Sequence, residues 1–568
     1  MKRFRFAIIA FMTIMPAMAQ MDNVVEVENT YTPHVKDANK INVVPEKRIV
    51  NVTRKKVNYT SSAHPMTSDF VFQPLSLEQT DVLVTDPQKN FITAGGGNMG
   101  NLLIGGAFGL DFTKYDRLDI DLGLNGYNGN TAEQNTSGFG TEKWKSRFYT
   151  TQGKLSYTHA LTTRSSLFAR ASYKSQVFNY TNEYLNSGNS KFTDKQHDNI
   201  GDVSIGISPY SLGRFSIGAE ASYLFFKQKY ATTLDDANEE NQFVAKASFR
   251  YDIKDNQALA LGLGLRSMNY SMSDGNVFGY DFKNVLGFSF APHYKYADDR
   301  LFLTLGLNGY AASGVENSFS IAPNIGVDYY LSANTVLYLK ATGGEIYNDF
   351  RHFCSITPYW VLTNSFSGSN MLPVQLPNQF DKLRALLGVR TKPVKDVFVN
   401  ASVGYDISEN RAEIIPLNSS STDATIFAAD GNRFYADFDL HYDYRDIVSV
   451  ELKNRYNSWG KIEMQGELEK QKVLWRPILD LDWNVSWRVF STLRLGVGYR
   501  FQTFNSTDDI MLFERPETND LKAELSYTLP MGLTIYAKAM NILNQNYHAY
   551  YGVPSLGASF MGGVAITF

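Results

Sequence analysis

Cysteine is almost absent from this chain, since Cys354 is the only one among 568 residues. A single thiol excludes an internal disulfide and a thiolate metal site. The net charge is also small, −3 at pH 7, so the composition does not favour a nucleic-acid partner. Beyond the first 20 residues no run of about 18 apolar residues occurs, and the sequence therefore predicts no membrane-spanning helix.

Motifs that bind cofactors, metals or phosphate are equally scarce. Eight histidines are scattered along the chain without a nucleophile motif, and no zinc spacing, phosphate-binding glycine loop or dinucleotide fingerprint is present. The run Gly95-Gly96-Gly97 lies in a strand pattern, where glycine permits close backbone approach or a kink. We therefore predict no cofactor, no metal site and no enzymatic activity.

What the amino terminus does contain is an export signal. Basic residues in the first five positions precede the apolar stretch 6–15, and Ala17-Met18-Ala19 fits an A-x-A cleavage site. This pattern predicts a signal peptide over residues 1–19 and a mature chain that begins at Gln20.

From residue 89 onward, most of the chain alternates apolar and polar side chains. A β-strand has a side-chain period of two, so each such segment presents one apolar and one polar face. The polar faces carry charges of both signs, which a packed soluble core would not tolerate. Lipid on one face and a wet lumen on the other account for both the apolar and the charged faces. The alternation therefore predicts an antiparallel transmembrane β-barrel over residues 89–568.

Charged residues on the polar faces are predicted to line the lumen. They could set the selectivity of a pore, or they could form cross-strand salt bridges that stiffen the wall. The luminal candidates are Asp119, Asp121, Lys246, Arg250, Asp437, Asp439, Asp480, Asp482 and Arg494.

The last strand shows the same alternation. Its larger apolar residues fall on one face, which we interpret as the lipid-facing side of the final strand and as a C-terminal barrel signal. These residues are Phe560, Val564, Ile566 and Phe568.

Short turns recur at intervals of roughly 35 to 60 residues, which is about two membrane strands and one longer loop. Ten turns, together with a first strand near 90–98 and a last strand at 556–568, predict about 22 strands. Short turns normally face the periplasm and long loops the exterior. The predicted turns lie near residues 114–116, 162–164, 211–213, 255–256, 297–299, 332–334, 393–395, 444–446, 489–491 and 530–532.

The long connection at 347–380 is the best candidate for ligand contact. It combines Arg351, Phe353, Tyr359 and Trp360, and aromatic faces beside an arginine suit flat or sugar-like ligands. Alternatively, these rings pack the loop against itself or lie in the interfacial belt. The other connections predicted to be long are 128–146, 182–196, 410–431 and 460–472.

The end of the chain resembles a known family. The segment 541–547, Asn-Ile-Leu-Asn-Gln-Asn-Tyr, is similar to the penultimate-strand motif of TonB-dependent receptors, and 551–560 resembles their last loop and strand. Ala558 stands where the family usually has Arg. The motif covers about 30 residues, and the estimated strand number agrees with the family's 22-stranded barrel. The resemblance implies an outer-membrane receptor that takes up or binds a bulky or scarce substrate.

The family's N-terminal plug domain has no counterpart in the pattern of residues 20–88. This segment contains no glycine and no series of short strands, and prolines such as Pro33 and Pro45 disfavour helix. Three interpretations stay open, namely an extended periplasmic tail, a segment that enters the lumen, and a segment that docks on a periplasmic partner. Val24-Val25-Glu26-Val27 faintly resembles a TonB box, so contact with TonB also stays open.

The sequence therefore predicts an all-β protein of the Gram-negative cell outer membrane. Its predicted partners are membrane lipid and, as candidates, a surface lipoprotein or a periplasmic protein. The first functional hypothesis is a transport or receptor barrel that resembles a TonB-dependent receptor. The second is a plugless structural or assembly subunit of a larger outer-membrane complex, and the third is an outer-membrane enzyme.

Overall fold

The computed structural model describes most of the chain beyond residue 89. The predicted signal peptide (1–19) and the predicted extended segment (20–88) lie outside the described residues and stay predictions. The described ranges are 90–131, 134–136, 140–142, 145–162, 165–179, 196–229, 238–272, 282–315, 318–361, 375–416, 424–464, 472–506, 515–550 and 552–568.

One closed antiparallel sheet of 22 strands forms a barrel, which confirms the predicted fold class and strand number. Strands that follow one another in the sequence are neighbours in the sheet. They are β1 (Phe91–Gly97), β2 (Leu102–Asp111), β3 (Asp116–Asn130), β4 (Lys145–Ala160), β5 (Ser166–Phe178), β6 (Gln196–Leu212), β7 (Phe215–Gln228), β8 (Asn238–Lys254), β9 (Gln257–Met272), β10 (Val285–Ala297), β11 (Leu301–Ser313), β12 (Ser318–Ser332), β13 (Thr335–Ile346), β14 (Gln379–Val394), β15 (Val397–Pro416), β16 (Ala424–Tyr444), β17 (Val448–Trp459), β18 (Leu479–Arg488), β19 (Leu493–Thr503), β20 (Thr518–Thr528), β21 (Leu533–Met540) and β22 (Ser559–Thr567).

The barrel closes where β1 pairs with β22, from Phe91 opposite Thr567 to Gly97 opposite Met561. The two backbones approach so closely that a Cβ on Gly97 would collide with the carbonyl oxygen of Phe560. Closure leaves the sheet without a free edge, so the polar groups of the wall are satisfied within it, as hydrocarbon requires. Gly97 therefore has the close-approach role that the strand context of the glycine run predicts.

The outer face of the barrel is apolar, because large hydrophobic side chains stay exposed there on strands all around the sheet. On β22 the opposite face is buried, with Met561 and Ala565 packed against Tyr536 of β21. The four residues interpreted as a C-terminal signal lie on the exposed outer face, at 45–62% exposure: Phe560, Val564, Ile566 and Phe568.

Each of the ten predicted short turns falls between two consecutive strands at one end of the barrel, which we assign to the periplasm. The strands that flank the long connections end at the opposite rim, which we assign to the extracellular side. The predicted long connection at 410–431 is mostly strand, because β15 and β16 stay paired as far as Pro416 and Ala424. Ile414 and Ile426 give these extensions a buried apolar face, so they continue beyond the predicted boundary. The short strands Trp360–Val361 and Glu463–Met464 pair with the extracellular end of β16.

Candidate functional site

The connection between β13 and β14 carries a short α-helix, α1 (Phe350–Ile356). Asp349 caps its first turn, since the side-chain carboxylate accepts a hydrogen bond from the amide of His352 at 2.7 Å. The helix ends where the amide of Thr357 donates to the carbonyl oxygen of Phe353. In the part of the chain that the structure describes, no helix is long and apolar enough to cross a membrane.

Polar groups of the barrel wall hold the start of α1. The amide of Phe350 donates to Oε2 of Glu240 on β8 at 2.7 Å. Nε2 of Gln242 donates both to Oδ2 of Asp349, at 2.8 Å, and to Oε1 of Glu240, at 2.6 Å. Nη1 of Arg266 on β9 donates to Oε1 of Gln242 at 2.9 Å and lies 3.6 Å from Oδ2 of Asp349. We call these contacts the carboxylate latch.

An apolar core holds the rest of the segment. The ring of Phe350 stacks on Trp360 at 5.3 Å and meets Phe226 of β7 edge-on at 5.8 Å. The same buried cluster includes Ala412 of β15 and Ile426 of β16. Because β7 and β15 are eight strands apart in a closed sheet, a cluster that joins them lies inside the barrel rim. The segment 347–361 thus crosses the extracellular part of the lumen.

The exposure of residues along the inward face of β8 shows how far the segment 347–361 extends down the lumen. Glu240, Gln242 and Val244 near the extracellular end are at most 6% exposed, whereas Lys246 and Arg250 further down are exposed. The described segment therefore covers the extracellular part of the lumen, and the wall below it is lined by charged, hydrated side chains.

Of the four residues that the sequence indicates as ligand contacts, the structure brings Phe353 and Trp360 together, with ring centroids 5.7 Å apart, whereas Arg351 and Tyr359 contact other parts of the barrel. Phe353, Tyr359 and Trp360 are at most 1% exposed. Arg351 is half-buried and donates from Nη1 to the carbonyl oxygen of Gly201 on β6, at 2.9 Å. In this conformation all four side chains anchor the segment, and ligand contact by any of them stays a prediction.

Tyr359 extends the segment to the other side of the rim. Its ring lies 5.1 Å from Phe178 of β5 and 5.8 Å from Tyr550 in the connection between β21 and β22, edge-on in both cases. Val553 completes this second buried cluster. The loop is therefore packed against three separate regions of the barrel.

Cys354 faces the wall from α1. Its Sγ lies 3.5 Å from Oδ2 of Asp198 on β6 and accepts a hydrogen bond from Nε1 of Trp360 at 3.0 Å. Burial raises the pKa of this thiol well above its ordinary value, so it is protonated at neutral pH.

Beneath α1 lies a charged cavity that the sequence did not indicate, which we call the arginine cavity. It is lined by four arginines, two aspartates and a tryptophan, on strands β14 to β17 and the connection after β17. Those residues are Arg384, Arg411, Arg433, Arg476, Asp381, Asp406 and Trp459. They are spread over about 95 residues of sequence without a shared motif, so only the pairing of the sheet brings them together.

Trp459 is the centre of this arrangement. The guanidinium carbons of Arg411, Arg433 and Arg476 lie 5.1–5.2 Å from its ring centroid, within cation–π distance. Nε of Arg476 donates to Oε2 of buried Glu413 at 3.2 Å. Burial lowers the pKa of Arg476 to about 10, which leaves it charged at neutral pH.

Two of the predicted luminal charges, Asp480 and Asp437, form cross-strand ion pairs. Nη2 of Arg500 on β19 donates to Oδ2 of Asp480 on β18 at 3.0 Å, and Nη2 of Arg455 on β17 donates to Oδ2 of Asp437 on β16 at 2.9 Å. These contacts are of the wall-stiffening kind. An effect of these charges on pore selectivity stays a prediction.

The remaining luminal candidates have local partners or face open space. Asp119 pairs with Arg117 at 2.8 Å, and Arg250 with Asp252 at 2.7 Å. Side-chain amides donate to the next two carboxylates, from Asn400 to Asp439 at 3.0 Å and from Asn484 to Asp482 at 2.7 Å. Asp121 and Lys246 are exposed, and Arg494 is half-buried near the periplasmic end of β19.

A closed barrel of 22 antiparallel strands, apolar outside and polar inside, with long loops at one end, has the fold of outer-membrane TonB-dependent receptors. Similar solved structures include the FrpB iron transporter of Neisseria meningitidis (F3-3 variant), with 11% identity and a TM-score of 0.63 over 85% of this chain and 82% of that one. The siderophore receptor PiuA of Acinetobacter baumannii has 11% identity and a TM-score of 0.58 over 84% and 82% of the two chains.

A third similar structure is a point mutant of the ferric enterobactin receptor PfeA of Pseudomonas aeruginosa, with 11% identity and a TM-score of 0.60 over 84% of this chain and 80% of that one. No family model and none of the curated proteins matches the chain. The resemblance predicted from the tail is thereby confirmed for the fold.

Proposed function

We propose that this protein is a receptor or transport barrel of the Gram-negative outer membrane, with the segment 347–361 as its gate. The observation that carries the proposal is that this segment crosses the extracellular part of the lumen. It occupies space through which a bulky substrate would pass. The neighbouring structures are named for iron and siderophore uptake, so chelated metals are the first substrates to test.

The gate contacts the barrel wall at a point where a disulfide could fix it in place. Sγ of Cys354 lies 3.5 Å from Oδ2 of Asp198, so an Asp198→Cys substitution places two thiols within reach of each other on α1 and β6. We expect the oxidised Asp198→Cys variant to lose substrate uptake in cells, and reduction to restore it. Thiol titration reports whether the disulfide forms.

The matched control combines Asp198→Cys with Cys354→Ser, which keeps the wall substitution and removes the partner thiol. Uptake in this control should be insensitive to oxidant. If the locked barrel transports as well as the reduced one, the segment is not a gate. If no variant, including the wild type, takes up or binds any candidate substrate, the transport function itself is wrong.

One observation favours the second hypothesis, a structural subunit of a larger envelope complex. The segment 347–361 belongs to a buried core that includes Trp475 and Leu474 from the connection after β17, and so large a core suits a permanently closed lumen. A pull-down from detergent extract discriminates the two functions. Stoichiometric protein partners favour the scaffold, whereas a co-purified small ligand favours the receptor.

The proposal also includes export by a cleaved signal peptide and an extended N-terminal segment. Cleavage after Ala19 and an extended segment over 20–88 would place about 70 residues before the barrel. Intact-mass measurement of the purified protein tests the cleavage. Cross-linking of that segment, in whole cells, to luminal lysines, to TonB or to a periplasmic protein tests its three open interpretations.

A further inference from the structure

Near the extracellular rim, two neighbouring strands of the wall separate and overlap. β12 and β13 are paired only between their periplasmic turn and Asn324 opposite Thr342. Beyond that point β12 stays paired with β11, and β13 stays paired with β14. The end of β13 crosses the inner face of β11, where Nδ2 of Asn308 donates to the carbonyl oxygen of Gly343 at 2.9 Å. Asn308 points inward, because its neighbour Leu307 is exposed on the outer face. Two layers of sheet therefore lie one inside the other at this part of the rim.

A cavity of about 140 Å³ lies between the two layers, and we call it the overlap cavity. By the same measure a water molecule needs roughly 10–15 Å³, so the cavity holds about ten waters. That is room for a ligand of the size of one sugar ring. The outer layer contributes Tyr310, Ser318 and Ser320 to its lining, and the inner layer contributes Glu345, Phe380 and Glu409.

The charged side chains that line the overlap cavity are acidic. Glu345 and Glu409 line it, and no Lys, Arg or His is among the described residues that do so. Glu409 forms an ion pair with Lys382, and the two side chains are 39% and 50% exposed. An exposed pair of this kind contributes no more than about 1 kcal/mol, so a cationic ligand can compete with Lys382 for the carboxylate. Nδ2 of Asn378 donates to Oε1 of Glu345 at 2.7 Å, and we assign Glu345 an electrostatic role without ligand contact. The lining therefore favours a cation over an anion.

The uncharged lining adds two further preferences. The rings of Tyr310 and Phe380 meet edge-on at 6.4 Å, and an aromatic face attracts a cation within about 6 Å. On β12, Ser318 is exposed and Ser320 is half-buried, and neither hydroxyl has a hydrogen-bond partner among the described residues. A hydroxyl group both donates and accepts, so these serines suit a ligand that carries hydroxyl groups.

We propose that the overlap cavity binds a small protonated amine that also carries hydroxyl groups, of the amino-sugar class. The carboxylate of Glu409 accepts a hydrogen bond from the ammonium group, which makes this the strongest contact of the site. The aromatic pair attracts the same charge, and the serines of β12 bind the hydroxyl groups. This binding goes beyond the gating of the lumen by the segment 347–361 and does not depend on it.

Titration calorimetry on the purified full-length mature protein, in a detergent without sugar groups, tests the proposal. The probes are glucosamine, glucose and cyclohexylamine at pH 6, where the amines are protonated, and at constant ionic strength. We expect glucosamine to bind with one-to-one stoichiometry. Glucose has a hydroxyl in place of the ammonium group and should bind at least about tenfold more weakly, because it loses a hydrogen bond between charged groups. Cyclohexylamine keeps the ammonium group but loses the hydroxyl groups, and its binding should be weaker by a similar factor.

Two substitutions in the same ion pair separate charge from structure. Glu409→Gln keeps the shape but removes the negative charge, and should weaken glucosamine binding by about tenfold. Lys382→Gln breaks the same pair but removes a competing cation, so glucosamine should bind as tightly as to the wild type or more tightly. Heat-modifiable gel mobility reports whether each variant is folded.

Equal weakening by the two substitutions would mean that the ion pair only supports the rim, and would overturn the proposal. Absence of glucosamine binding to the wild type, or equal binding of glucosamine and either comparison compound, would also overturn it. Binding in detergent requires no transport, so failure of the uptake experiments would leave this result unaffected.

Discussion

The buried carboxylate of Glu240 accepts a hydrogen bond from the amide of Phe350, 110 residues further along the chain, at 2.7 Å. Glu240 is 0% exposed, and its other oxygen receives Nε2 of Gln242. A residue of the barrel wall therefore satisfies an amide at the first turn of α1, which has no partner within the helix. This contact joins the rigid sheet to the segment that crosses the lumen.

Substitution of Glu240 by Ala should loosen that segment and open the lumen. The loss leaves the amide of Phe350 without its acceptor in a buried site, at a cost of about 1–3 kcal/mol, and removes one of the two acceptors of Nε2 of Gln242. We expect more frequent or larger single-channel currents in planar bilayers than for the wild type. Glu239→Ala is the control, since Glu239 pairs with Lys227 and is more exposed. Identical currents from Glu240→Ala and the wild type would show that the carboxylate latch does not restrain the segment.

The seam of the barrel supports a second prediction. Replacing Gly97 with Ala places a Cβ against the carbonyl oxygen of Phe560, in backbone that cannot move without breaking the pairing of β1 with β22. Overpacking of this kind costs about 1–3 kcal/mol. We expect a lower yield of heat-modifiable, closed barrel and a lower melting temperature.

The adjacent glycine is the control for this seam. A Cβ on Gly96 would lie 3.7 Å from its nearest neighbour, the carbonyl oxygen of Asn101, which is ordinary contact distance. Gly96→Ala should therefore fold as the wild type does. If both variants gave the same reduced yield of closed barrel, closure of the barrel would depend on the flexibility of the glycine run and not on the close approach at Gly97.

The barrel could be predicted from the sequence because its causes are local. Alternation along segments such as Leu118 to Leu124 and the residues of the short turns depend only on neighbours in the chain, and both reappear as strands and turns. The path of the segment 347–361 has no such local cause. Its position depends on Glu240 and Phe226, more than 100 residues earlier, and on Ile426 beyond it.

The segment 347–361 and the arginine cavity also differ in how far they could be predicted from local sequence. The aromatic residues of the segment, such as Phe353 and Trp360, are close in sequence and recognisable as a group, and their burial agrees with the alternative interpretation that the rings pack within the protein. The arginine cavity joins Arg384 to Arg476 through the pairing of several strands, and each arginine alone is an ordinary inward charge.

Acidification should loosen the connection between β21 and β22. Burial, and secondarily the charge of Arg515, lower the pKa of His548 to about 3, so the folded loop keeps this imidazole neutral. An exposed histidine titrates near pH 6.5. Between that pH and the pKa in the closed loop, His548 binds a proton when the loop is open and stays neutral when the loop is closed. Stability of the closed loop is complete above pH 6.5 and falls as the pH drops towards 3. At pH 5 the loss is up to about 2 kcal/mol.

Hydrogen exchange measures this effect. Amides such as that of Gly552, which donates to Nδ1 of His548 at 3.3 Å, should exchange faster at pH 5 than at pH 7, after correction for intrinsic rates. His548→Gln removes the titrating group and should abolish the pH dependence of the corrected rates. A pH dependence that survives this substitution would assign the effect to another residue.

Glu413 should be the most costly carboxylate to neutralise in the region around the arginine cavity. It is 0% exposed, bonds to Arg411 and Arg476, and accepts a hydrogen bond from Nε1 of Trp475 at 2.5 Å. Glu413→Gln keeps the shape but leaves two buried guanidinium groups without a counter-charge, which costs about 3–5 kcal/mol.

Asp328→Asn provides the comparison, because it breaks a single ion pair with Arg390. Both side chains of that pair are at least 34% exposed, so the pair contributes no more than about 1 kcal/mol to stability. We expect thermal unfolding in detergent to show a clearly lower midpoint for Glu413→Gln and a midpoint near the wild-type value for Asp328→Asn. Equal midpoints for the two variants would mean that water reaches the buried arginines and screens them.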